Sequence, residues 1–242
     1  MKRRDFIANS SMAVSAILFP SWRGFSAENL IPTEILAIKG NGENFSLRKI
    51  DIANFRRDLK GKLLLKDDVG YDIARLVRNR IIDKKPALIA QCGDEADIQK
   101  AVNFAREHSI LTAVKCGGHS VSGKGTCNNG LIIDLSPFKG THLDKKNKRV
   151  FIKGGSWLGE LDAATIPHGL GTTAGTVSHT GVGGLATGAG FGRLARKYGL
   201  TIDNMESIEI ITADGQLRYA NKYENADLFW AVRGGGGNFG IV

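Results

Sequence analysis

KCGGHSVSGKG, residues 115–125, is the part of the sequence that says most about the fold. The apolar run Leu111–Val114 before it predicts a strand, and Gly117-Gly118 would let the backbone approach a ligand closely. Successive backbone N–H groups in such a loop can face an anion. The stretch is therefore interpreted as a phosphate-binding loop. It carries His119, which phosphate binding does not require, and its alternative interpretation is a surface turn without a ligand.

This loop departs from the P-loop of nucleoside triphosphatases. Residues 118–124 fit the GxxxxGK pattern, but Gly125 stands where that motif requires a Ser or Thr hydroxyl for the magnesium ion. A further apolar run, Leu131–Leu135, predicts a strand soon afterwards, where a P-loop would begin a helix. The sequence therefore argues against a triphosphatase. It still indicates a loop that binds an anion.

Two more glycine-rich stretches follow along the chain. Residues 171–192 contain 8 glycines among 22 residues, with Thr and Ser hydroxyls between them, which suits a pyrophosphate or ribose lying along bare backbone. Residues 235–240 match the dinucleotide pattern GxGxxG, but they follow a predicted helix instead of a strand, so a Rossmann fold is rejected. Three such loops indicate one long ligand that is touched in several places, and a dinucleotide has the appropriate size.

Strands and helices alternate after Pro86, which indicates an α/β or α+β domain. Asp94 is a suitable N-cap for a helix with one apolar face, and Asp214-Gly215 predicts a hairpin turn. The apolar face of the helix after Asp94 consists of Ile98, Ala101, Val102 and Ala105. Two further helices are predicted at 157–166 and 226–233. The predicted strands are 87–90, 111–114, 131–135, 150–152, 207–212 and 216–219.

Composition argues against several classes of protein. The chain of 242 residues has a net charge of +9, and its basic residues are scattered except for Lys145–Arg149. That run is interpreted as a solvated hairpin turn and not as a nucleic-acid patch. Cys92, Cys116 and Cys127 form no CxxC pair, so we expect neither a disulfide framework nor a zinc site. Neither a metal ion nor a nucleic-acid partner is expected.

Residues 1–27 have the pattern of an export signal. A basic segment precedes the apolar run Met12–Phe19, which is too short to span a bilayer. RRDFI at residues 3–7 favours the twin-arginine type of signal over an ordinary basic segment. We therefore expect a periplasmic or secreted protein that has no stable membrane association after cleavage near Ala27. An uncleaved signal is the alternative.

Several motifs together resemble one family. VKCGGHS (114–120), GTVSHTGVGGLATGAGFG (175–192) and ADLFWAVRGGGGNFGIV (226–242) are similar to those of FAD-linked oxidases of the berberine bridge enzyme type, which share the vanillyl-alcohol-oxidase or PCMH-type fold. The resemblance implies an α+β FAD-binding domain of two small α/β subdomains over residues 86–242, truncated at its C-terminal end and lacking the C-terminal substrate domain. Residues 28–85 are weakly patterned and are expected to lead into this domain or to wrap around it.

The resemblance also implies which residues bind FAD. His119 matches the histidine that bonds covalently to the flavin, and the backbone from Lys115 to Ser120 would wrap the pyrophosphate. Val177 stands where some members carry a second, cysteine link, so a single link is expected, and Thr180 matches a position that controls oxygen access. The implied cofactor-binding residues are Lys115, Cys116, Gly117, Gly118, His119, Ser120, Gly175, Thr176, Val177, Thr180, Gly181, Gly183, Gly184 and Ile241.

The activity implied by the resemblance is the FAD-dependent oxidation of an alcohol, a sugar or a similar small molecule, with molecular oxygen as acceptor. The usual base of the family, a tyrosine, belongs to the substrate domain, so no catalytic residue is expected within these 242 residues. His179 is interpreted as a loop histidine. The alternative function is that of a truncated, non-catalytic FAD-binding fragment.

Overall fold

The computed structural model describes residues 31–242, so the expected export signal at residues 1–27 lies outside the described residues. Pro32–Val242 forms one compact unit, and no helix within it has the length and hydropathy to cross a membrane. The strands are β1 Glu34–Ile38, β2 Asn44–Arg48, β3 Lys62–Leu64, β4 Leu88–Gln91, β5 Thr112–Lys115, β6 Leu131–Asp134, β7 Thr141–Asp144, β8 Arg149–Ile152, β9 Ser207–Ile211 and β10 Leu217–Asn221. The α-helices are α1 Lys49–Asp58, α2 Tyr71–Arg75, α3 Glu95–Glu107, α4 Leu158–Thr165, α5 Val182–Thr187, α6 Ala195–Tyr198 and α7 Ala226–Gly235, with 3-10 turns at Ile166–His168, Thr201–Asn204 and Gly236–Asn238.

A four-stranded sheet in the order β3-β4-β6-β5 supports the first half of the domain. β4, β6 and β5 are parallel, and β3 pairs antiparallel with β4. The middle of the sheet is apolar because both of its faces are covered; Leu88, Ile89, Leu131, Ile132 and Ile133 have no exposed surface. The strands predicted at 87–90, 111–114 and 131–135 are confirmed to within a residue, and so is the α+β fold class.

The residues before Pro86 contribute directly to this sheet and its core. β3 is an edge strand of the sheet, and Phe55 of α1 stacks on Phe104 of α3 with ring centroids 4.2 Å apart. Tyr71 of α2 is buried and donates a hydrogen bond from its hydroxyl to Pro86 O at 2.6 Å. These short elements have weak sequence patterns because tertiary contacts, and not intrinsic propensity, hold them in place.

Helix α3 begins as the sequence predicts. The Asp94 carboxylate caps it by accepting a hydrogen bond from Asp97 N at 3.0 Å. Ile98, Ala101 and Val102 are buried against the sheet as expected, and Phe104 joins them while Ala105 is only half-buried.

Asp97, one turn into α3, has no exposed surface and anchors three backbone segments. Its carboxylate accepts hydrogen bonds from Lys60 N and Gly61 N at 2.8 Å each, and from Gly93 N at 3.0 Å. The same carboxylate therefore ties the segment before β3 to the end of β4 and to the helix. No sequence pattern indicates this role, because a carboxylate in the first turn of a helix normally faces solvent and interacts with the helix dipole.

The second half of the domain is built from two hairpins and short helices. β7 pairs antiparallel with β8 across the basic run at residues 145–148, so the predicted hairpin turn there is confirmed, although β7 itself was missed. β9 and β10 pair antiparallel across Asp214-Gly215, as predicted, and Gly215 has a φ of +78°. Phe229 and Val232 of α7 bury their side chains against this second hairpin.

The sequence interpretation treated the glycine-rich stretch at residues 171–192 as a loop. The structure shows that part of it is helical. Val182–Thr187 forms helix α5 although it contains Gly183 and Gly184, which lower helix propensity. Packing overrides that propensity: Val182 is buried with Leu158 and Leu161 of α4. The Thr187 hydroxyl also donates a hydrogen bond to Gly183 O at 2.8 Å.

The role of Asp97 predicts that the same Asp→Asn change lowers the free energy of unfolding much more at position 97 than at position 94. Asp97→Asn should lower the free energy of unfolding by about 2–4 kcal/mol, because an amide that replaces the carboxylate cannot accept all three buried N–H bonds. Asp94→Asn, the matched control, should cost less than about 1 kcal/mol because Asn caps a helix as well as Asp does. Urea unfolding of both variants measures the difference, and equal losses would contradict the anchoring role.

Candidate functional site

Two glycine loops meet backbone to backbone at Gly117 and Gly181. A Cβ added to Gly117 would overlap Gly181 N and would lie 2.9 Å from Gly181 Cα and 3.0 Å from His179 O. A Cβ added to Gly181 would overlap Gly117 N and lie 3.0 Å from Cys116 Cβ. Only glycine allows this approach at either position. The loop after β5 and the loop before α5 are therefore parts of one site.

Lys115 positions the first of these loops. Its side chain lies below the sheet edge, donates a hydrogen bond to Ala74 O and lies 3.8 Å from the buried Asp134 carboxylate. Asp134 in turn accepts hydrogen bonds from the Ser136 hydroxyl at 2.6 Å and from Gln91 Nε2 at 3.2 Å. The Lys115 side chain is thus engaged in the core, and Lys115 O accepts a hydrogen bond from Leu135 N at 2.8 Å, so this residue supports the loop from the sheet side.

Gly154, which follows β8, connects the two loops to the end of the chain. Its carbonyl accepts hydrogen bonds from Gly183 N at 3.0 Å and from the Cys116 thiol, and a Cβ at Gly183 would lie 2.8 Å from that carbonyl. Burial raises the pKa of the Cys116 thiol, so the thiol is neutral and can donate this bond. Sequence reasoning missed Gly154, for which the only signal was the pair Gly154-Gly155 between a strand and a helix.

Ile241 lies at the same junction. It pairs with Ile211 of β9 through two backbone hydrogen bonds of 2.8 and 2.9 Å and is buried. The next carbonyl, that of Val242, lies against the Cα of Gly154, where a Cβ would overlap it. The end of the chain is therefore brought beside Gly154 and hence beside both loops.

Helix α5 presents uncovered backbone at Gly184, in its first turn. Gly184 is exposed, and a Cβ added to it would have no other atom within 4 Å. Gly118, across the loop contact, has a φ of +68° that favours glycine, and its carbonyl accepts a hydrogen bond from Arg78 N at 2.9 Å. No acidic residue occurs in residues 115–130 or 171–192. This acid-free cradle of backbone is suited to an anion such as a pyrophosphate.

A turn at residues 177–180 forms the rim of the cradle. Thr180 N donates to Val177 O at 3.0 Å, while Thr180 O and Ser178 O accept hydrogen bonds from the first N–H groups of α4, Leu158 N at 3.0 Å and Gly159 N at 2.7 Å. The Val177 side chain is 42% exposed. The start of α4 therefore fixes the turn, and Val177 projects from it.

His119 and His179 face each other across the cradle. His119 Nε2 and His179 Nδ1 are 2.6 Å apart, and the ring centroids are 4.7 Å apart. Burial, followed by the neighbouring His179 and Arg78, lowers the pKa of His119 below its usual value, so His119 is neutral at pH 7. The sequence identified His119 but gave His179 only the role of a loop histidine, because a contact between residues 60 positions apart has no local signal.

Ser120, Gly175 and Thr176 lie around this centre with different surroundings. The Ser120 hydroxyl accepts a hydrogen bond from Lys124 N at 3.0 Å and so closes the first loop into a turn. A Cβ at Gly175 would press on the side chains of Leu185 and Leu158, so packing accounts for this glycine. Thr176 is exposed and lines a polar cavity of about 240 Å³ together with Arg193, Asp162 and Thr172.

The described residues contain neither a candidate metal centre nor a disulfide. Within residues 31–242, no group of three or more His, Cys, Asp or Glu side chains has an arrangement that could hold a metal ion. Cys92, Cys116 and Cys127 are all free thiols. The chemistry available here is that of backbone N–H groups, two imidazoles and nearby hydroxyls.

Comparison with known proteins points to one cofactor. Residues 86–221 match the model of an FAD-binding domain family. The chain is 36% identical over 185 residues to (R)-6-hydroxynicotine oxidase of Paenarthrobacter nicotinovorans, a match covering 76% of this chain and 40% of that protein. The chain thus spans less than half of the length of this curated relative.

Solved structures give the same result. The fold is similar to glucooligosaccharide oxidase from Acremonium strictum, with a TM-score of 0.75 and 31% identity over 79% of this chain and 41% of that chain. The description of that structure names a 6-S-cysteinyl, 8α-N1-histidyl FAD. BBE-like 1 from Physcomitrella patens has a TM-score of 0.72 and 27% identity over 79% of this chain and 42% of that chain. The resemblance to berberine bridge enzyme-like flavin oxidases is confirmed.

The loop contact predicts opposite effects for two glycine substitutions in the flavin-free chain. Gly181→Ala should destabilise it by about 1–3 kcal/mol, since the added methyl would overlap backbone that cannot move aside easily. Gly184→Ala should leave stability unchanged or raise it by up to about 1 kcal/mol, because alanine favours the helix and the space is open. Thermal unfolding separates the two, and a stable Gly181→Ala chain would contradict the close contact.

Proposed function

Because the chain belongs to the FAD-binding domain family, we propose that it is the FAD-binding portion of an exported, flavin-dependent oxidoreductase that oxidises an alcohol, a sugar or a similar small molecule, with molecular oxygen as acceptor. The observation that carries the proposal is the meeting of two glycine loops around uncovered backbone and His119. The relatives named above include a nicotine-type oxidase and an oligosaccharide oxidase, which supports a small organic substrate.

The described residues suit FAD as a ligand. The backbone N–H groups from Cys116 to His119 lie in a loop without any acidic side chain, which suits a pyrophosphate, whereas Val182 N and Gly183 N of α5 already donate to protein carbonyls. A side chain at Gly184 would meet no other atom within 4 Å, so packing does not require glycine there, and this glycine is proposed to keep room for the cofactor. Bound FAD would supply the hydride acceptor, while the chain binds and orients it.

His119 is the proposed point of covalent attachment. Its ring is neutral and half-buried at the edge of the cradle, so one nitrogen has a free lone pair. A bond from that nitrogen to the 8α-methyl carbon replaces one C–H and one N–H bond. The two electrons and two protons released pass to dioxygen and give hydrogen peroxide. Val177 occupies the position of a second, cysteine link, so His119 is proposed as the single tether.

Within this proposal the chain binds the cofactor and does not supply the base that acts on the substrate. Thr180, at the rim of the cradle, is proposed to influence the access of oxygen. The second candidate function is that of a non-catalytic FAD-binding fragment. The two are separated by substrate-dependent bleaching of bound flavin, which a non-catalytic fragment would not undergo.

Substitution of His119 tests the attachment site. His119→Ala should abolish acid-stable flavin while leaving non-covalent FAD binding within about tenfold, because the backbone cradle is unchanged. The measurement is yellow colour and flavin mass in the acid-precipitated chain. His142→Ala, at an exposed position on β7, is the matched control and should keep the flavin. Flavin retained by His119→Ala would contradict the proposal.

Export is proposed to follow the twin-arginine route. RRDFI at residues 3–7 and the weakly apolar segment after it support this proposal. Replacing Arg3 and Arg4 by lysine should hold the precursor inside the cell, because that route requires the arginine pair. Cell fractionation with antibody detection measures the distribution, and export at the unchanged level would contradict the proposed route.

A further inference from the structure

The His119–His179 pair is held together by backbone and not by flexible side chains. His119 follows the Gly117–Gly181 contact on one loop, and His179 precedes it on the other. The turn that carries His179 is held by a hydrogen bond from Gly159 N to Ser178 O at 2.7 Å. The approach of Nε2 to Nδ1 at 2.6 Å is therefore a built feature of the two loops.

We propose that His179 is a positioning residue that fixes the tautomer of His119: the Nε2–H of His119 donates to His179 Nδ1, and Nδ1 of His119 is left with the free lone pair that forms the link to the cofactor. This inference rests on the proposed function, because it assigns a role to His179 in the attachment at His119. Nδ1, and not Nε2, is the attaching atom.

The direction of the hydrogen bond follows from tautomer preference. A single proton can lie between these two nitrogens in only two ways, with either His119 or His179 as the donor. With His119 as donor, both rings carry their proton on Nε2, which is the tautomer that a free histidine side chain prefers in water. With His179 as donor, both rings would have to carry it on Nδ1. The protonated nitrogen of a histidine is set by the partner of the other nitrogen, so the pair selects the first arrangement.

A shared metal ion is not an alternative explanation of the pair. Zinc binds histidine nitrogen at about 2.0–2.1 Å, so two nitrogens on one tetrahedral ion lie about 3.3 Å apart. The observed separation of 2.6 Å is too short for two ligands of one ion and corresponds to a short, direct hydrogen bond. Arg78, the nearby cation, also disfavours a second positive charge at His119.

The arrangement gives His179 a specific task during attachment. When Nδ1 of His119 bonds to carbon, the ring would become a cation unless Nε2 loses its proton. His179 Nδ1 is already hydrogen-bonded to that proton and can accept it. Attachment would therefore release two protons, one from Nε2 of His119 and one from the methyl carbon, together with two electrons. Dioxygen would take up all of them and become hydrogen peroxide.

Two substitutions separate this role from a structural one. In His179→Asn, the amide oxygen can occupy about the position of Nδ1 and accept the same hydrogen bond, whereas His179→Leu fills similar space without an acceptor. Both variants and the wild-type chain are produced in riboflavin-starved cells, so that they carry no flavin. Long-range ¹H–¹⁵N NMR of the imidazoles then reports which nitrogen of His119 is protonated. FAD is added afterwards, and acid-stable flavin is followed with time.

The wild-type chain and His179→Asn should both show His119 protonated at Nε2. His179→Asn should attach flavin faster than His179→Leu but more slowly than the wild-type chain, because an amide oxygen accepts the hydrogen bond but does not take up the proton. His179→Leu should lose the single tautomer and attach flavin at least about tenfold more slowly, with non-covalent FAD affinity within about twofold of wild type. His119 protonated at Nδ1 in the wild type, wild-type attachment by His179→Leu, or failure of His179→Asn to rescue would overturn the inference. If the wild-type chain binds no FAD, the proposed function fails, while the NMR result still decides the tautomer.

Discussion

The close approach of Gly117 to Gly181 is the contact on which the rest of the site depends. The two residues are 64 positions apart, and their main chains pack with no room for a Cβ on either one. This single contact joins the end of the parallel sheet to the start of α5. It also brings the loop of His119 to the loop of His179, whose rings are within hydrogen-bonding distance. A ligand-binding surface made from main chain needs few specific side chains, which is consistent with relatives that retain the fold at 27–36% identity.

Other parts of the molecule support this contact from behind. The buried Lys115–Asp134 pair fixes the strand end from which the first loop leaves, and the carbonyl of Gly154 ties Cys116 to Gly183. A buried ion pair of this kind contributes little net stability, but the removal of one partner would leave an uncompensated charge in the core. Lys115, Cys116 and Gly183 therefore hold the site through contacts inside the protein, although the sequence motifs place all three among the cofactor-binding residues.

The sequence predicted those features that depend on local chemistry. The strands around the central sheet, the Asp94 cap and the Asp214-Gly215 hairpin were all predicted, because periodicity, capping and turn chemistry are local signals. Helix α5 was missed because its glycines lower helix propensity and only packing against α4 stabilises it. The first loop and His119 could be identified from motifs. His179 and Gly154 could not, since each acts through contacts between residues distant in sequence.

The most direct test of the account is the affinity of FAD for the cradle itself. The His119→Ala chain, freed of flavin, is titrated with FAD by calorimetry and compared with the same chain carrying Gly184→Val. The His119→Ala chain should bind FAD, and Gly184→Val should weaken this binding at least about tenfold. The two flavin-free chains should unfold at the same temperature. Equal FAD affinity in the two chains would show that the cofactor does not lie along the backbone at Gly184, and would contradict the central claim.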